Sequence, residues 1–123
     1  MDGVKILVIL NDPPYGTERV YNGLRLTINL LAKQPDPGAT EVDVFLMGDA
    51  ASAAKAGQST PNGYYNTEKM LGSVLRKGGS IKVCGTCMDA RGLTAEELTD
   101  GAARSTMDEL TALTVAADKV LVF

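Results

Sequence analysis

Both cysteines of the 123-residue chain lie in one segment, Val83-Cys84-Gly85-Thr86-Cys87-Met88, where an apolar run ends and a helix is expected to begin. A thiol at such a junction faces the unpaired N–H groups and the positive dipole end of the helix, which favour thiolate over thiol. The thiolate is the form that attacks sulfur and binds metals. The sequence has no histidine, so Cys-His catalytic pairs are excluded and zinc loses its usual nitrogen ligands. One Cys-x-x-Cys is half of a tetrahedral zinc site, and no metal is expected. Redox or persulfide chemistry remains, against the alternative of two silent buried thiols.

The elements that must position this pair follow from periodicity. Val4–Leu10 is nearly continuous in apolar and β-branched residues, as in a strand buried on both faces of a parallel sheet, and is expected at the centre of the fold. The turn Asn11-Asp12-Pro13-Pro14-Tyr15-Gly16 leads to a helix over Thr17–Lys33, with Val20, Leu24, Ile28 and Leu31 on its core face, stopped by Pro35-Asp36-Pro37-Gly38. Val42–Met47 reads as a strand closed by Gly48-Asp49, and Ala50–Ala56 as a short helix. Gly57–Tyr65 is a loop by composition.

Asn66 caps the next helix, in which Met70, Leu71, Val74 and Leu75 face the core and Gly78-Gly79 terminate. Ser80–Val83 is the third strand, and a weak fourth is expected near Gly101–Arg104. Thr94-Ala95-Glu96-Glu97 and Thr106-Met107-Asp108-Glu109 both carry the capping-box signature, the second opening a helix with Met107, Leu110 and Leu113 inward. Val120–Phe123 is the last strand. Strands alternating with helices predict a three-layer α/β domain over residues 1–123, with right-handed crossovers and a mainly parallel sheet.

Composition narrows the function. With 45% hydrophobic and 22% charged residues, the chain has material for one compact core. A formal charge of −3, with Lys and Arg scattered, argues against a nucleic-acid surface. The apolar run after Met1-Asp2-Gly3 is too short to span a bilayer and has no basic leader before it, so a soluble cytoplasmic protein is expected. In that reducing compartment the cysteine pair is not expected to be a structural disulfide. No Gly-x-Gly-x-x-Gly or P-loop motif follows a strand. Pro13 and Pro14 cannot donate N–H groups to a flavin phosphate, so no cofactor is expected.

Sites in open parallel sheets form beyond the carboxyl ends of the strands. Three distinctive loops belong there: Asn11–Gly16, Gly48 onward, and Cys84–Cys87. Asn11, Asp12, Tyr15, Glu18, Gly48, Asp49, Gly85 and Thr86 are therefore candidates to border a pocket at the cysteines. Turn chemistry alone also accounts for Asn11, Asp12 and Asp49. A thioredoxin-like fold is disfavoured because the Cys-x-x-Cys comes late, after a third strand, and lacks an aromatic flank.

The run Val83-Cys84-Gly85-Thr86-Cys87-Met88-Asp89-Ala90-Arg91-Gly92-Leu93 resembles the cysteine motif of the DsrE/DsrF-like family, particularly its small members. The likeness extends through Asn11–Gly16, Phe45-Leu46-Met47-Gly48-Asp49-Ala50, Ser105 and Met107 with Leu110, and Ala117-Asp118-Lys119-Val120 into Phe123. This resemblance implies a three-layer α/β/α sandwich around a five-stranded parallel sheet and assembly into homotrimers or homohexamers. It also implies sulfur relay, in which a cysteine accepts sulfane sulfur as a persulfide from a donor protein and passes it to an acceptor. In sulfur-transferring members the active cysteine stands seven residues before an arginine and eight before a glycine. That spacing selects Cys84, with Arg91 and Gly92. Arg91 either adds positive charge to the site or pairs with Asp89 or a neighbouring subunit. Cys87 is either a packed apolar residue or a resolving thiol that expels sulfide from a Cys84 persulfide. A Cys84/Cys87 redox protein and a non-enzymatic oligomeric binding module are the alternative functions.

Overall fold

The computed structural model describes residues 3–123; the Met1-Asp2 start, where the expectation of no basic leader falls, lies outside them. Five strands, β1 (Val4–Leu10), β2 (Thr40–Leu46), β3 (Ser80–Cys84), β4 (Ala102–Ser105) and β5 (Lys119–Val122), form one sheet in the order β4-β3-β2-β1-β5. All four pairings are parallel. The central strand is therefore β2, which corrects the expectation for Val4–Leu10. β1 is interior but has only the short, largely exposed β5 beyond it.

Alternation along the strands divides the interior in two. Ile6, Val8 and Leu10, with Val42, Val44 and Leu46 and with Ile81 and Val83, face α1 (Arg19–Ala32) and α2 (Thr67–Arg76) and make the larger core. Leu7, Phe45 and Cys84 face the other way, against Leu110 of α4 (Met107–Ala116). A short helix, α3 (Gly85–Ala90), follows β3 directly. Helices on both faces of the sheet make an α/β/α sandwich, with its second outer layer formed by α4 alone.

The helix boundaries follow local chemistry. α1 starts at Arg19 rather than Thr17, because the Thr17 hydroxyl donates to Asp12 at 2.9 Å and accepts the Arg19 N–H at 3.2 Å, holding Thr17 in the preceding turn. Asn66 caps α2 as expected, accepting the Lys69 N–H at 3.0 Å. Leu71 and Val74 are fully buried, with Met70 and Leu75 partly buried beside them. The alanine-rich segment is a 3-10 helix over Gly48–Ala54 instead of a helix over Ala50–Ala56, and its four buried alanines let it lie close to α2 and α3. Another 3-10 turn, Pro61–Gly63, interrupts the expected loop.

The two capping boxes differ. Thr94 and Glu97 form theirs around a single 3-10 turn, Ala95–Glu97. At Thr106 only half forms: its side chain accepts the Glu109 N–H, whereas the Glu109 carboxylate accepts from the Ser105 hydroxyl. Met107, expected inward, is 58% exposed, because at the start of α4 it borders an open cleft instead of the core; Leu110 is the buried contact and Leu113 is partly buried.

Candidate active site

β3 ends at Cys84, whose side chain alternation turns toward the smaller core, and the chain passes at once into α3. Cys84 is 6% exposed and packs with Leu7, Phe45 and Leu110. Its Sγ accepts the Cys87 N–H at 3.4 Å, so Cys84 caps α3 with its sulfur. The Cys87 thiol donates to the same sulfur, and the Thr86 hydroxyl lies 3.4 Å away. Because α3 has only six residues, these individual contacts, more than a long helix dipole, govern the thiol. Burial pushes Cys84 up, but the hydrogen bonds from Cys87 and Thr86 outweigh it and hold its pKa below the ordinary thiol value. Cys87 moves the opposite way. Burial and its bond to Cys84 raise it, against an opposing 3.2 Å bond from the Gly48 N–H and the charge of Arg91.

The pair thus sets a thiol of lowered pKa against a neighbour of raised pKa, with the two sulfurs in contact. Alkylation of Cys84 in the Cys87→Ala variant is expected to need higher pH than in wild type, because the thiol donor that stabilises the Cys84 anion is gone. The measurement is the pH–rate profile for iodoacetamide with mass-spectrometric site assignment. Superimposable profiles would remove Cys87 from the activation of Cys84.

The candidate residues separate into groups. Gly48 adopts φ 58°, a left-handed conformation that glycine takes without strain, and this turn aims its N–H at the Cys87 sulfur. Asn11 places its backbone carbonyl beside Gly48 and its N–H on the Phe123 carbonyl. Arg91 directs Nε and Nη2 to Asp49 Oδ1 at 3.0 and 2.7 Å and Nη1 to the Cys87 carbonyl at 3.0 Å. Its partner is Asp49 and not Asp89, so Arg91 ties the loop after β2 to α3.

Tyr15 and Glu18 stand apart from the thiols. They line a cavity of about 250 Å³ with Tyr21 and Tyr65 at the start of α1. The Tyr15 hydroxyl donates to Gln58 and accepts the Thr67 N–H at 3.1 Å, fixing that loop to α2. Asp12 is held in its turn by Thr17 and a 3.7 Å ion pair with Arg19.

A side chain that sequence reasoning passed over reaches the cysteine loop from the sheet edge. Arg104, on β4, donates to both carboxylate oxygens of Asp89 at 2.8 and 2.9 Å. A Cβ added at Gly85 would lie 2.8 Å from the Arg104 Cζ, so this guanidinium rests where only glycine leaves room. The available signal was position: Arg104 closes the expected fourth strand, at the sheet edge where sites form. Among the described residues no group of three or more His, Cys, Asp or Glu could hold a metal ion. No described helix is long and apolar enough to cross a membrane.

A parallel α/β/α sandwich with a cysteine at the carboxyl end of its third strand is the frame of a known family. The model of the DsrE/DsrF-like family matches residues 4–123, and the chain belongs to that family. Its particular likeness is to the protein YchN of Escherichia coli, 39% identical over 119 residues that cover 97% of this chain and 98% of that one. A protein of Methanocaldococcus jannaschii is 36% identical over 120 residues, covering 98% of this chain and all of its own. The crystal structure of ychN from E. coli superposes with a TM-score of 0.89 at 38% identity, over 98% of this chain and 99% of that one.

Proposed function

We propose that this protein carries sulfane sulfur as a persulfide on Cys84 and passes it to a partner or releases it reductively. The observation that carries this reading is the Cys84 sulfur at the sheet's carboxyl edge, accepting both the Cys87 N–H and the Cys87 thiol. A thiolate stabilised in this way attacks the terminal sulfur of a persulfide donor. Membership in a family generally associated with sulfur relay supports the same reading. Reducing surroundings such as the cytoplasm suit it, since both cysteines are free.

The contact between the two sulfurs also favours release on the same protein. Cys87 can attack the inner sulfur of the Cys84 persulfide: the new bond is Cys84–Cys87, the persulfide S–S bond breaks, and the terminal sulfur leaves as hydrogen sulfide. An external thiol must then reduce the disulfide. A purely redox role for the pair is the second reading, favoured by that same contact. Intact-mass measurement after treatment with a persulfide donor separates them. Gain of one sulfur atom in Cys87→Ser supports the carrier; a wild-type disulfide with no sulfur gained by Cys87→Ser supports the redox protein.

A homotrimer or homohexamer completes the proposal. Val115 on α4 is 83% exposed, and Val120 and Val122 on β5 are 40% and 63% exposed. The β5 pair stands in register with Leu7 and Ile9, on the face that α4 leaves thinly covered. Apolar surface of this kind is what assembly covers. Native mass spectrometry is expected to give three or six chains, and Val122→Asp to shift the population toward monomer; a wild-type monomer at micromolar concentration would contradict it.

A further inference from the structure

A cleft of about 180 Å³ opens beside Cys84, bordered by Thr86, Arg104, Ser105, Thr106 and Met107. At roughly 30 Å³ per water, it has the volume of about six waters, room for a small organic molecule. Cys84 is 6% exposed, so its sulfur is reached by a small molecule more readily than by another protein's folded surface. The one guanidinium bordering the cleft is neither buried nor fully committed. Arg104 spends two of its five N–H groups on Asp89, and the side chains of that pair are 45% and 63% exposed. An exposed ion pair is weakly held and leaves the remaining donors available to a second anion. Gly85 lets the guanidinium lie against the backbone next to the reacting sulfur. The other lining groups, the hydroxyls of Thr86, Ser105 and Thr106 and the Met107 thioether, are uncharged.

We infer that this cleft seats the carrier fragment of the sulfur donor, and that Arg104 makes it selective for small hydropersulfides bearing a carboxylate. The inference rests on the carrier reading of Cys84 and names the substrate class for it. In the step, the Cys84 thiolate attacks the terminal sulfur of R–S–SH. The Cys84–S bond forms, the donor S–S bond breaks, and R–S⁻ leaves with the electron pair while the proton stays on the transferred sulfur. Charge and oxidation level balance without a further reagent. Arg104 faces both the carboxylate of R and the departing thiolate, and its role is to determine specificity.

The test uses the full chain carrying Cys87→Ser, so that only Cys84 reacts. Rates of alkylation by iodoacetate and by iodoacetamide are taken at one pH, and their ratio is compared with that of free cysteine. Both reagents meet the same thiolate, so the ratio cancels thiolate fraction and reports the charge around the cleft. Arg104→Gln is expected to lower the anionic-to-neutral ratio about three- to tenfold, as a unit charge several Å away would at intermediate dielectric. Arg104→Lys should keep part of it. Asp89→Asn, which frees the guanidinium, should raise the ratio and so answers any loss caused by altered folding. Loading with N-acetylcysteine hydropersulfide should likewise outpace loading with its methyl ester, and lose that advantage in Arg104→Gln. Ratios that do not move with either Arg104 or Asp89 overturn the anion subsite. Ratios that move as expected while neither persulfide adds sulfur overturn the donor assignment through the carrier reading itself.

Discussion

Exposed to a persulfide donor, the Cys87→Ser variant is expected to gain one sulfur atom and keep it, whereas Cys84→Ser gains none. The asymmetry follows from the two environments. Cys84 accepts hydrogen bonds from Cys87 and Thr86, which stabilise its anion, while Cys87 donates to Cys84 and has its pKa raised by burial and that bond. Substituting the nucleophile removes the reaction; substituting its neighbour with serine, whose hydroxyl can still donate to Cys84, removes the exit. In wild type the Cys87 sulfur lies in contact with the atom that becomes the inner sulfur of the persulfide. Intramolecular attack has an effective concentration far above that of any free thiol. The persulfide lifetime should therefore be at least about tenfold longer in Cys87→Ser than in wild type, with sulfide and a Cys84–Cys87 disulfide as the wild-type products. Intact mass over time, paired with a sulfide assay, measures both. Equal lifetimes would assign Cys87 to packing and leave transfer to a partner as the route of release.

The largest effect on stability is expected from Phe45→Ala. Phe45 is 1% exposed on the central strand β2, and its ring fills the smaller core against Leu7, Cys84 and Leu110. Few neighbours stand ready to collapse into the space, because α4 is the single helix over that face. Removing a buried phenylalanine side chain costs about 3–5 kcal/mol, a large share of the roughly 5–15 kcal/mol that holds a domain of this kind folded. Phe45→Leu, which conserves more of the volume, should cost less than about 1.5 kcal/mol. Urea unfolding at constant slope is the measurement. A loss under about 1 kcal/mol for the alanine variant would mean that this face is packed by contacts outside the protomer. The same variant should loosen Cys84, since Phe45 is part of the floor on which that thiol rests.

Much of the fold was legible in the residues. The five strands and the helices α1 and α2 were readable because long apolar runs and 3.6-residue periodicity leave a parallel sheet and amphipathic helices as the favoured burial. Strand order was not readable, since a run such as Val4–Leu10 has the same composition whether it is central or one place from the edge. The error at Met107 has a related cause: helical spacing puts Met107 with Leu110, but Met107 stands at the start of α4, where it borders the open cleft beside Cys84 instead of the core.

The cysteine site divides in the same manner. Two thiols with Gly85 and Thr86 between them, no histidine and a strand-to-helix junction pointed to thiol chemistry through residue type and local spacing, whereas the choice of Cys84 over Cys87 came from the family resemblance, through the spacing to Arg91 and Gly92. Tertiary structure decided the surroundings. It brought Gly48 to the Cys87 sulfur, spent Arg91 on Asp49, moved Tyr15 and Glu18 to a separate cavity, and laid Arg104 over Gly85. Each is a contact between segments far apart in the chain, set by the order in which parallel strands stack, and no local pattern encodes that order.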